Sequence, residues 1–225
     1  MRLAAMADLH CTVGDRGMWA PRVAPVNDVA DALLLAGDLT AGGDMHELHV
    51  LLGELAAVRI PVVAVLGNHD YDGGRAFLFV EALRRAGIQH LEGAGAVLGE
   101  VAVAGGMGVE GGFARLRRWD IAERQFMARL EHYLADAGTA RRVALLHYAP
   151  IVATLGDEPE DMYEILGSSA MEAAIDAAGA DLVIHGHAHN GVAEGRTRGG
   201  VPVYNVALPV LQRAGFTTPY RLFEV

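Results

Sequence analysis

The sequence predicts an α/β fold in which helices pack against β-sheets. Short apolar runs, with the length and composition of buried strands, alternate with longer segments whose apolar residues recur at helical spacing. The chain has 225 residues, of which 52% are hydrophobic and only 20% are charged, so it can bury a substantial core. It contains no internal repeat and no low-complexity linker, and we therefore expect a single domain over residues 1–225.

Apolar runs rich in alanine, leucine and valine predict the strands. In chain order these are Leu3–Ala7, Ala32–Ala36, Pro61–Leu66, Val101–Ala104, Arg142–His147, Asp181–His185 and Val201–Val206. Helical spacing predicts the helices, which are Asp44–Val58, Arg75–Ala86, Trp119–Ala137 and Ser169–Ala178. Ser168 or Ser169 can cap the last helix, and glycines stand where three helices end, at Gly87, Gly138 and Gly179. Two stretches are predicted as irregular, Gly105–Arg118 and the acidic Thr154–Gly167.

The composition argues against several kinds of enzyme. The sequence contains no lysine, because all 18 of its Lys and Arg residues are arginine, and this removes P-loop, Schiff-base and lysine general-base chemistry. Serine occurs only at Ser168 and Ser169, outside any Gly-x-Ser-x-Gly motif, so a serine hydrolase is not expected. Cys11 beside His10 is not expected to act as a nucleophile, since adjacent residues on a strand face opposite ways.

Charge and hydropathy limit the partners and the compartment. A formal net charge of −10, with no basic run longer than a pair, makes nucleic acid an unexpected partner. No apolar run approaches the roughly 20 residues that span a bilayer, so no membrane association is expected. The apolar start of the chain is too short for a signal peptide, and the single Cys11 permits no intrachain disulfide. We therefore expect a cytoplasmic protein.

Polar side chains follow five of the predicted strands, at the point where each strand ends. These clusters are Asp8-x-His10, Gly37-Asp38, Gly67-Asn68-His69-Asp70, His147 and Gly186-His187-Ala188-His189. Sites of α/β proteins assemble at the carboxyl ends of strands, because the scaffold is rigid there while the loops are free to vary. Five strands that deliver Asp, Asn and His to one sheet edge indicate a metal site.

The residue types indicate which metals fit. Aspartate, asparagine and imidazole without thiolate favour Mn, Fe, Zn, Co or Ni over a structural cysteine-rich zinc site. The cluster holds too many ligands for one tetrahedral ion, so two ions bridged by a carboxylate fit better. Two metals roughly 3.5–4 Å apart can share a hydroxide nucleophile and neutralise a phosphoryl group during in-line displacement. An anionic substrate then finds its positive charge in the bound metals.

Taken in order, the five motifs resemble the calcineurin-like metallophosphoesterase superfamily. The resemblance extends from Asp8 to His189, and no expected ligand is missing. It implies a four-layer αββα fold, in which two mixed β-sheets pack as a sandwich with flanking helices. This architecture agrees with the alternation of strands and helices described above.

The resemblance also implies a role for each site residue. One metal would be held by Asp8, His10, Asp38 and His189. Asp38 would bridge to the second metal, which would also take Asn68, His147 and His187. His69 would bind no metal and would face the phosphoryl group, where it stabilises the transition state or protonates the leaving oxygen. The neighbouring Asp70 would orient the imidazole of His69.

Several of these residues also have a structural interpretation. Asp8 and Asp38 are of the type that caps helices, and Asn68 is of the type that forms turns. His147 would read as a core histidine, but Tyr148-Ala149-Pro150 after it resembles the His-x-x-Pro loop of the family. His185 matches no ligand of the family and is interpreted as structural, and the arginines Arg115, Arg117 and Arg118 are interpreted as a solvated face.

These features predict a metal-dependent hydrolase that attacks small phosphodiesters, or in second place phosphomonoesters, with a metal-bridging hydroxide. The acidic 154–167 stretch follows ligand His147 and would repel a polyanion at the cleft. Two alternatives stay open. A non-catalytic binding scaffold of the same superfamily would have lost ligands, in particular His69 or the Gly-x-His pair, and this chain keeps both. A dinuclear amidohydrolase-like enzyme typically uses a carboxylated lysine or a different His-x-His placement, and this chain has no lysine.

Overall fold

The strands and helices are those of a computed structural model that describes residues 1–113, 120–138 and 141–225. The strands are β1 (Arg2–Met6), β2 (Ala32–Ala36), β3 (Val62–Val65), β4 (Gln89–His90), β5 (Ala94–Leu98), β6 (Val101–Gly106), β7 (Arg141–Leu146), β8 (Leu182–His185), β9 (Glu194–Arg196), β10 (Pro202–Asn205) and β11 (Arg221–Glu224). The α-helices are α1 (Ala20–Val23), α2 (Val26–Val29), α3 (Met45–Leu55), α4 (Asn68–Asp72), α5 (Ala76–Arg85), α6 (Ile121–Ala135), α7 (Tyr163–Leu166), α8 (Ser169–Ala178) and α9 (Leu208–Arg213). Short 3₁₀ turns lie at Val13–Asp15, Val152–Thr154 and Glu160–Met162.

The strands form two mixed sheets. The first has five strands in the order β11-β1-β2-β3-β4, with β11 antiparallel to β1 and the other pairs parallel. The second has six strands in the order β5-β6-β7-β8-β10-β9, with the edge strands β5 and β9 antiparallel to their neighbours and the inner pairs parallel. The parallel centre of each sheet brings the carboxyl ends of its strands to one edge.

Alternation of side chains along the strands produces three layers of core. In β1, Leu3 and Ala5 pack between the two sheets, whereas Ala4 packs on the helical side with residues of α3 and α5. On the far side of the second sheet, Leu130 of α6 and Ile175 of α8 pack against its strands. The order of layers is therefore helix, sheet, sheet, helix, and the predicted αββα sandwich is confirmed.

The predicted strands are all present, and all of them lie inside the sheets. Ala32–Ala36 has the predicted bounds, and the others differ from them by one or two residues at an end. The four strands that sequence reasoning missed, β4, β5, β9 and β11, are the four edge strands. An inner parallel strand is buried on both faces and reads as a continuous apolar run, whereas an edge strand does not. In β5, for example, Val97 is 66% exposed.

The four long helices also lie where helical spacing predicts them. Helix α8 has the predicted bounds, with the Ser168 hydroxyl accepting from the N–H of Ala170 at 3.2 Å and Gly179 in the left-handed conformation at its end. Helices α1, α2, α4, α7 and α9 were not predicted, because segments of four to six residues are too short to show a helical period.

Three predictions fall wholly or partly outside the described ranges. They concern Trp119, the predicted first residue of the third long helix, the predicted solvated face of Arg115, Arg117 and Arg118, and residues 114–118 of the predicted irregular stretch. The first two residues of that stretch, Gly105 and Gly106, belong to β6, so the prediction is wrong there. Within the described ranges, every helix is too short or too polar to cross a membrane.

Candidate metal centre

The predicted site residues come together at one edge of the sandwich, where parallel strands of both sheets end. The first sheet supplies the residues after β1, β2 and β3, and the second sheet supplies those after β7 and β8. In chain order the residues are Asp8, His10, Asp38, Asn68, His69, His147, His187 and His189. The site is thus shared between the two sheets.

One group of possible ligand atoms comes from Asp8, His10 and His189, whose ligand atoms lie within 4.8 Å of one another. Nε2 of His189 lies 2.9 Å from Oδ1 of Asp8 and 3.5 Å from Nε2 of His10. Oδ2 of Asp38 lies 3.7 Å from Nε2 of His10, so this carboxylate joins the group. These are the four residues that the resemblance assigns to the first metal.

A second group comes from Asp38, His147 and His187, again with ligand atoms within 4.8 Å of one another. Nε2 of His147 lies 3.4 Å from Oδ1 of Asp38 and 3.1 Å from Oδ1 of Asn68. The ring centroids of His147 and His187 are 4.8 Å apart. These are the four residues that the resemblance assigns to the second metal.

The Asp38 carboxylate lies between the two groups. Its Oδ2 faces His10 and its Oδ1 faces His147, and the side chain is only 2% exposed. Burial by itself would raise the pKa of Asp38, but the hydrogen bond and charge of His147, together with the charge of His10, lower it to about 2. Asp38 is therefore ionised and offers one oxygen to each group.

Hydrogen bonds to the main chain orient two of the imidazoles. The buried His147 donates from Nδ1 to the carbonyl of Ala36 at 2.9 Å, so its Nε2 points at the second group. His187 donates from Nε2 to the carbonyl of Ile165 at 3.2 Å, which leaves its Nδ1 for the cluster. Carbonyl partners of this kind fix the ring orientation of histidines that bind metals.

The same surroundings separate the charge states of these two histidines. Burial disfavours the imidazolium of His147, but Asp38 outweighs burial and raises the pKa of His147 to about 9. Burial and the neighbouring His147 lower the pKa of His187 to about 4. The positively charged form of the His147 imidazole is thus favoured beside Asp38, whereas the His187 imidazole is neutral.

Four predicted ligands have left-handed backbone conformations. Among the described residues, the non-glycine positions with positive φ are Asp8 (58°), His10 (42°), Asp38 (49°) and His187 (69°). Such conformations cost of order 1–3 kcal/mol each and persist where the surroundings enforce them, typically at functional sites. Backbone strain therefore concentrates on the predicted ligands.

Two glycines allow the backbone to approach the carboxylates closely. A Cβ at Gly67 would lie 2.1 Å from Oδ1 of Asp38, and a Cβ at Gly186 would lie 2.5 Å from Oδ2 of Asp8. Both distances are far inside van der Waals contact, so any side chain at these positions would displace a carboxylate. This explains why glycine precedes the Asn68-His69 and His187-x-His189 motifs.

His69 lies beside these two groups, and a ligand atom of His69 lies within 4.8 Å of ligand atoms of His10 and Asp38, which makes a third possible combination. One nitrogen of His69 is held by the main chain. Its Nδ1 is 2.9 Å from the carbonyl oxygen of Ala41 and 3.4 Å from the carboxylate of Asp72. The ring meets the ring of His10 edge to face, with centroids 4.8 Å apart. With Nδ1 donating to Ala41, Nε2 is the nitrogen left to face a substrate.

The expectation that Asp70 orients His69 is wrong. Asp70 is fully buried, and its carboxylate accepts the N–H groups of Leu39, Thr40 and Gly67 and the hydroxyl of Thr40. Burial outweighs these bonds and raises the pKa of Asp70 to about 6. Asp70 instead ties the loop after β2 to the start of α4. An acidic residue three positions after Gly67, at a helix start, is the sequence signal for this role.

His185 agrees with its structural interpretation. It is fully buried, its Nδ1 donates to the carbonyl of Gly186 at 2.8 Å, and its Nε2 lies 2.9 Å from Oγ1 of Thr154. Burial lowers the pKa of His185 to about 4, so the ring is neutral.

The donor set fits transition metals. It combines carboxylate and amide oxygens with imidazole nitrogens that are already oriented, which suits Mn, Fe, Co, Ni or Zn. The neighbouring Cys11 is buried, and burial followed by the charges of Asp15, Glu47 and Glu54 raises its pKa to about 12. Cys11 is therefore a thiol rather than a thiolate ligand.

Comparison with known proteins adds a family and a fold. A family model described as calcineurin-like phosphoesterase matches residues 1–191. No curated protein matches the chain in sequence. The phosphopantetheinyl hydrolase (PptH) from Mycobacterium tuberculosis has a similar structure, with a TM-score of 0.67 and 16% identity over 98% of this chain and 95% of that chain.

A second similar structure is named "Putative 5'-Nucleotidase from Staphylococcus aureus in complex with alpha-ketoglutarate". Its TM-score is 0.56 and its identity is 16%, over 91% of this chain and 48% of that chain. At such identities the likeness to both structures establishes the fold alone.

Proposed function

Because the chain belongs to the calcineurin-like phosphoesterase family, whose model matches residues 1–191, we propose that it is a metal-dependent hydrolase of phosphoric esters. The observation that carries the proposal is the position of Asp38, which offers one carboxylate oxygen to each of two groups of ligand atoms. A shared carboxylate between two such groups is the arrangement expected of a two-metal site.

The proposal assigns the ligands to two ions. Asp8, His10, Asp38 and His189 hold one ion, and Asp38, Asn68, His147 and His187 hold the other. When bound, two such ions activate water and neutralise charge on a phosphoryl group. The chain's own contribution is to hold the ligands apart in two groups and to keep Asp38 ionised.

His69 acts on the leaving group in this proposal. Its Nδ1 is held by the carbonyl of Ala41, so the ring has a fixed direction and presents Nε2 beside the ligands. A protonated Nε2 can donate to the leaving oxygen as negative charge develops there, which is general-acid catalysis. The main-chain N–H of His69 donates to Oδ1 of Asp38 at 3.0 Å, and this hydrogen bond holds His69 next to the proposed metal ligands.

We favour small phosphodiesters as substrates and place phosphomonoesters second. The 154–167 loop lies against the site, because the carbonyl of Ile165 accepts from His187 and the carboxylate of Glu158 accepts from the N–H of Asn190 at 2.7 Å. The acidic residues of this loop disfavour a polyanion through like-charge repulsion. They are Asp157, Glu158, Glu160, Asp161 and Glu164.

A comparison of bis-p-nitrophenyl phosphate with p-nitrophenyl phosphate tests the proposal. Metal-free protein should hydrolyse neither, and added Mn²⁺ should restore hydrolysis, with the higher kcat/KM on the diester. A higher kcat/KM on the monoester would reverse the order of the two substrate classes. Absence of hydrolysis of either ester by protein that has bound the metal would favour a non-catalytic scaffold.

A further inference from the structure

The turn that carries two of the histidines is held from outside the metal centre. We call residues 186–191 the histidine turn. It follows β8 and includes His187 and His189. Its main-chain carbonyls are bound by side chains of β10 and α9, namely Asn205 and Arg213. Neither side chain is among the predicted ligands.

Asn205 connects the histidine turn to the first sheet. It is fully buried, and its Nδ2 donates to the carbonyl of Ala188 at 2.8 Å. Its Oδ1 accepts from the N–H of Ala207 at 3.0 Å, and Ala207 pairs with Ala7, the residue before Asp8. One amide thus links the turn that carries two histidines to the strand end that carries a carboxylate.

The contact between Asn205 and the turn leaves no spare room. A Cβ at Gly191 would lie 2.7 Å from Nδ2 of Asn205 and 2.3 Å from the carbonyl oxygen of Thr154. Gly191 therefore packs directly on the amide. A displacement of the amide would be transmitted to the backbone of the turn, since protein interiors are close-packed.

Arg213 binds two further carbonyls of the turn. From the C-terminal end of α9, its Nη2 donates to the carbonyl of His189 at 2.5 Å and to the carbonyl of Gly191 at 3.0 Å. Hydrogen bonds from a charged donor are stronger than those between neutral groups. The carbonyl of a predicted ligand is therefore fixed by a side chain that is not itself a predicted ligand.

We propose that Asn205 and Arg213 are positioning residues that set His187 and His189 at the spacing needed to bind metal. The inference rests on the proposed function, because it assumes that these histidines are ligands. Both residues act on the backbone of the turn, and the backbone at His187 is in a strained left-handed conformation with φ of 69°. A strained conformation persists only where surrounding contacts enforce it. The N–H of His187 donates to the carboxylate of Asp8, and Asn205 and Arg213 hold the carbonyls of the residues that follow it.

The test is metal binding by Arg213→Ala, measured by calorimetric titration of metal-free protein with Mn²⁺. Arg213 is exposed, so its removal should leave the fold intact, and the thermal midpoint of the metal-free variant checks this. We expect the affinity to fall by about 10-fold or more, as is typical when residues that support metal ligands are removed. Arg213→Lys keeps one charged donor and should recover part of the loss.

Arg196→Ala is the matched control. Arg196 is also exposed and donates from its guanidinium to a main-chain carbonyl, that of Gly200 at 2.9 Å, which belongs to the connection between β9 and β10 rather than to the histidine turn. Its affinity for Mn²⁺ should equal that of the unaltered protein. The buried Asn205 is tested by Asn205→Asp, which keeps the volume but loses the donor to Ala188, and the same fall in affinity is expected.

Three results would overturn the inference. They are unchanged Mn²⁺ affinity in Arg213→Ala, an equal loss in Arg196→Ala, and a loss in Arg213→Ala matched by a lower thermal midpoint of the metal-free protein. The unaltered protein separates this failure from failure of the proposed function. If the unaltered protein does not bind Mn²⁺, the proposed function itself is wrong and the inference falls with it.

Discussion

At the residue scale, the proposed chemistry depends on one carboxylate that is shared between the two groups of ligand atoms. Asp38 is the shared one: it is buried, ionised and within 3.4 Å of Nε2 of His147 and 3.7 Å of Nε2 of His10. Removal of its charge would leave both groups with fewer negative ligands at once. His69 lies next to Asp38, and the role proposed for it is a different one, since its Nδ1 is held by the main chain.

The first prediction concerns Asp38→Asn, which keeps the size of the side chain and removes its charge. We expect the affinity for both metal ions to fall by more than about 100-fold, beyond the 10–100-fold typical of residues that only support ligands. Calorimetric titration with Mn²⁺ measures this. Asp31→Asn is the control, because Asp31 is an exposed aspartate paired with Arg2. Loss of one binding event while the other persists would contradict a shared carboxylate.

The second prediction concerns His69→Ala, which removes the proposed general acid. Turnover should fall by about 10²- to 10⁴-fold while the bound metal stays unchanged, since general-acid catalysis contributes rate and not ligation. Steady-state kinetics and metal analysis of the same sample measure both quantities. His46→Ala serves as control, because the His46 side chain is 84% exposed and pairs with Asp44. Unchanged turnover would refute the role of His69.

Residue-scale prediction from the sequence succeeded where a residue type and its neighbours carried the information. The motifs around Asp8, Asp38 and His187 name side chains that the structure places together, although their identity as ligands stays a prediction. The partner of His69 was predicted wrongly. Asp70 is adjacent in sequence, but its side chain points to the loop backbone, and only the three-dimensional course of residues 39–41 brings Ala41 to the imidazole.

At the scale of elements, burial decides what the sequence reveals. The inner strands are covered on both faces and have continuous apolar sequences, so they were predicted, whereas the four edge strands were missed. Length acts in the same way on helices. Helix α8, with ten residues, shows its helical period, whereas α4, with five residues, is too short to show one, although α4 carries Asn68 and His69.

The third prediction concerns Gly53 in α3, a glycine inside a helix that is required by no contact. A Cβ there would have no heavy atom within 4 Å, and the position is exposed. Gly53→Ala should therefore raise the free energy of unfolding by about 0.5–1 kcal/mol, because glycine loses more backbone entropy in a helix than alanine does. Chemical denaturation measures the change.

Gly67→Ala is the contrasting variant, because Gly67 has no space for a Cβ. A Cβ at Gly67 would lie 2.1 Å from Oδ1 of Asp38, so this variant should be destabilised or lose metal binding. If Gly53→Ala lowered the free energy of unfolding as much as Gly67→Ala, the space around the Cβ would not decide the effect at either position.

At the scale of the whole molecule, the site joins the two sheets. Asp8, His10, Asp38 and Asn68 come from the first sheet, and His147, His187 and His189 come from the second. Each group of ligands draws on both sheets, so neither sheet alone can form either group. The sandwich fold itself follows from the resemblance of the motifs, whereas the strand pattern alone predicts only the α/β class. The single domain over residues 1–225 stays a prediction.

The fourth prediction follows from this shared construction. A metal that binds only the native arrangement stabilises it, by about 2.7 kcal/mol when the metal is present at 100 times its Kd. The thermal midpoint should therefore rise when Mn²⁺ is added to metal-free protein and fall again in EDTA. In Asp38→Asn the midpoint should no longer depend on metal. If the thermal midpoint of the unaltered protein changed with neither Mn²⁺ nor EDTA, this would argue against a metal site that spans the two sheets.

The left-handed backbone at Asp8, His10, Asp38 and His187 also limits how this site can change during evolution. Glycine adopts such conformations freely, and asparagine and aspartate adopt them at a lower cost than β-branched residues do. A descendant that abandoned metal but kept the fold would therefore acquire glycine or asparagine at these four positions far more readily than valine, isoleucine or threonine. The same restriction applies to a library of variants made to redesign the centre. It limits the residue types that each of the four positions tolerates to a few.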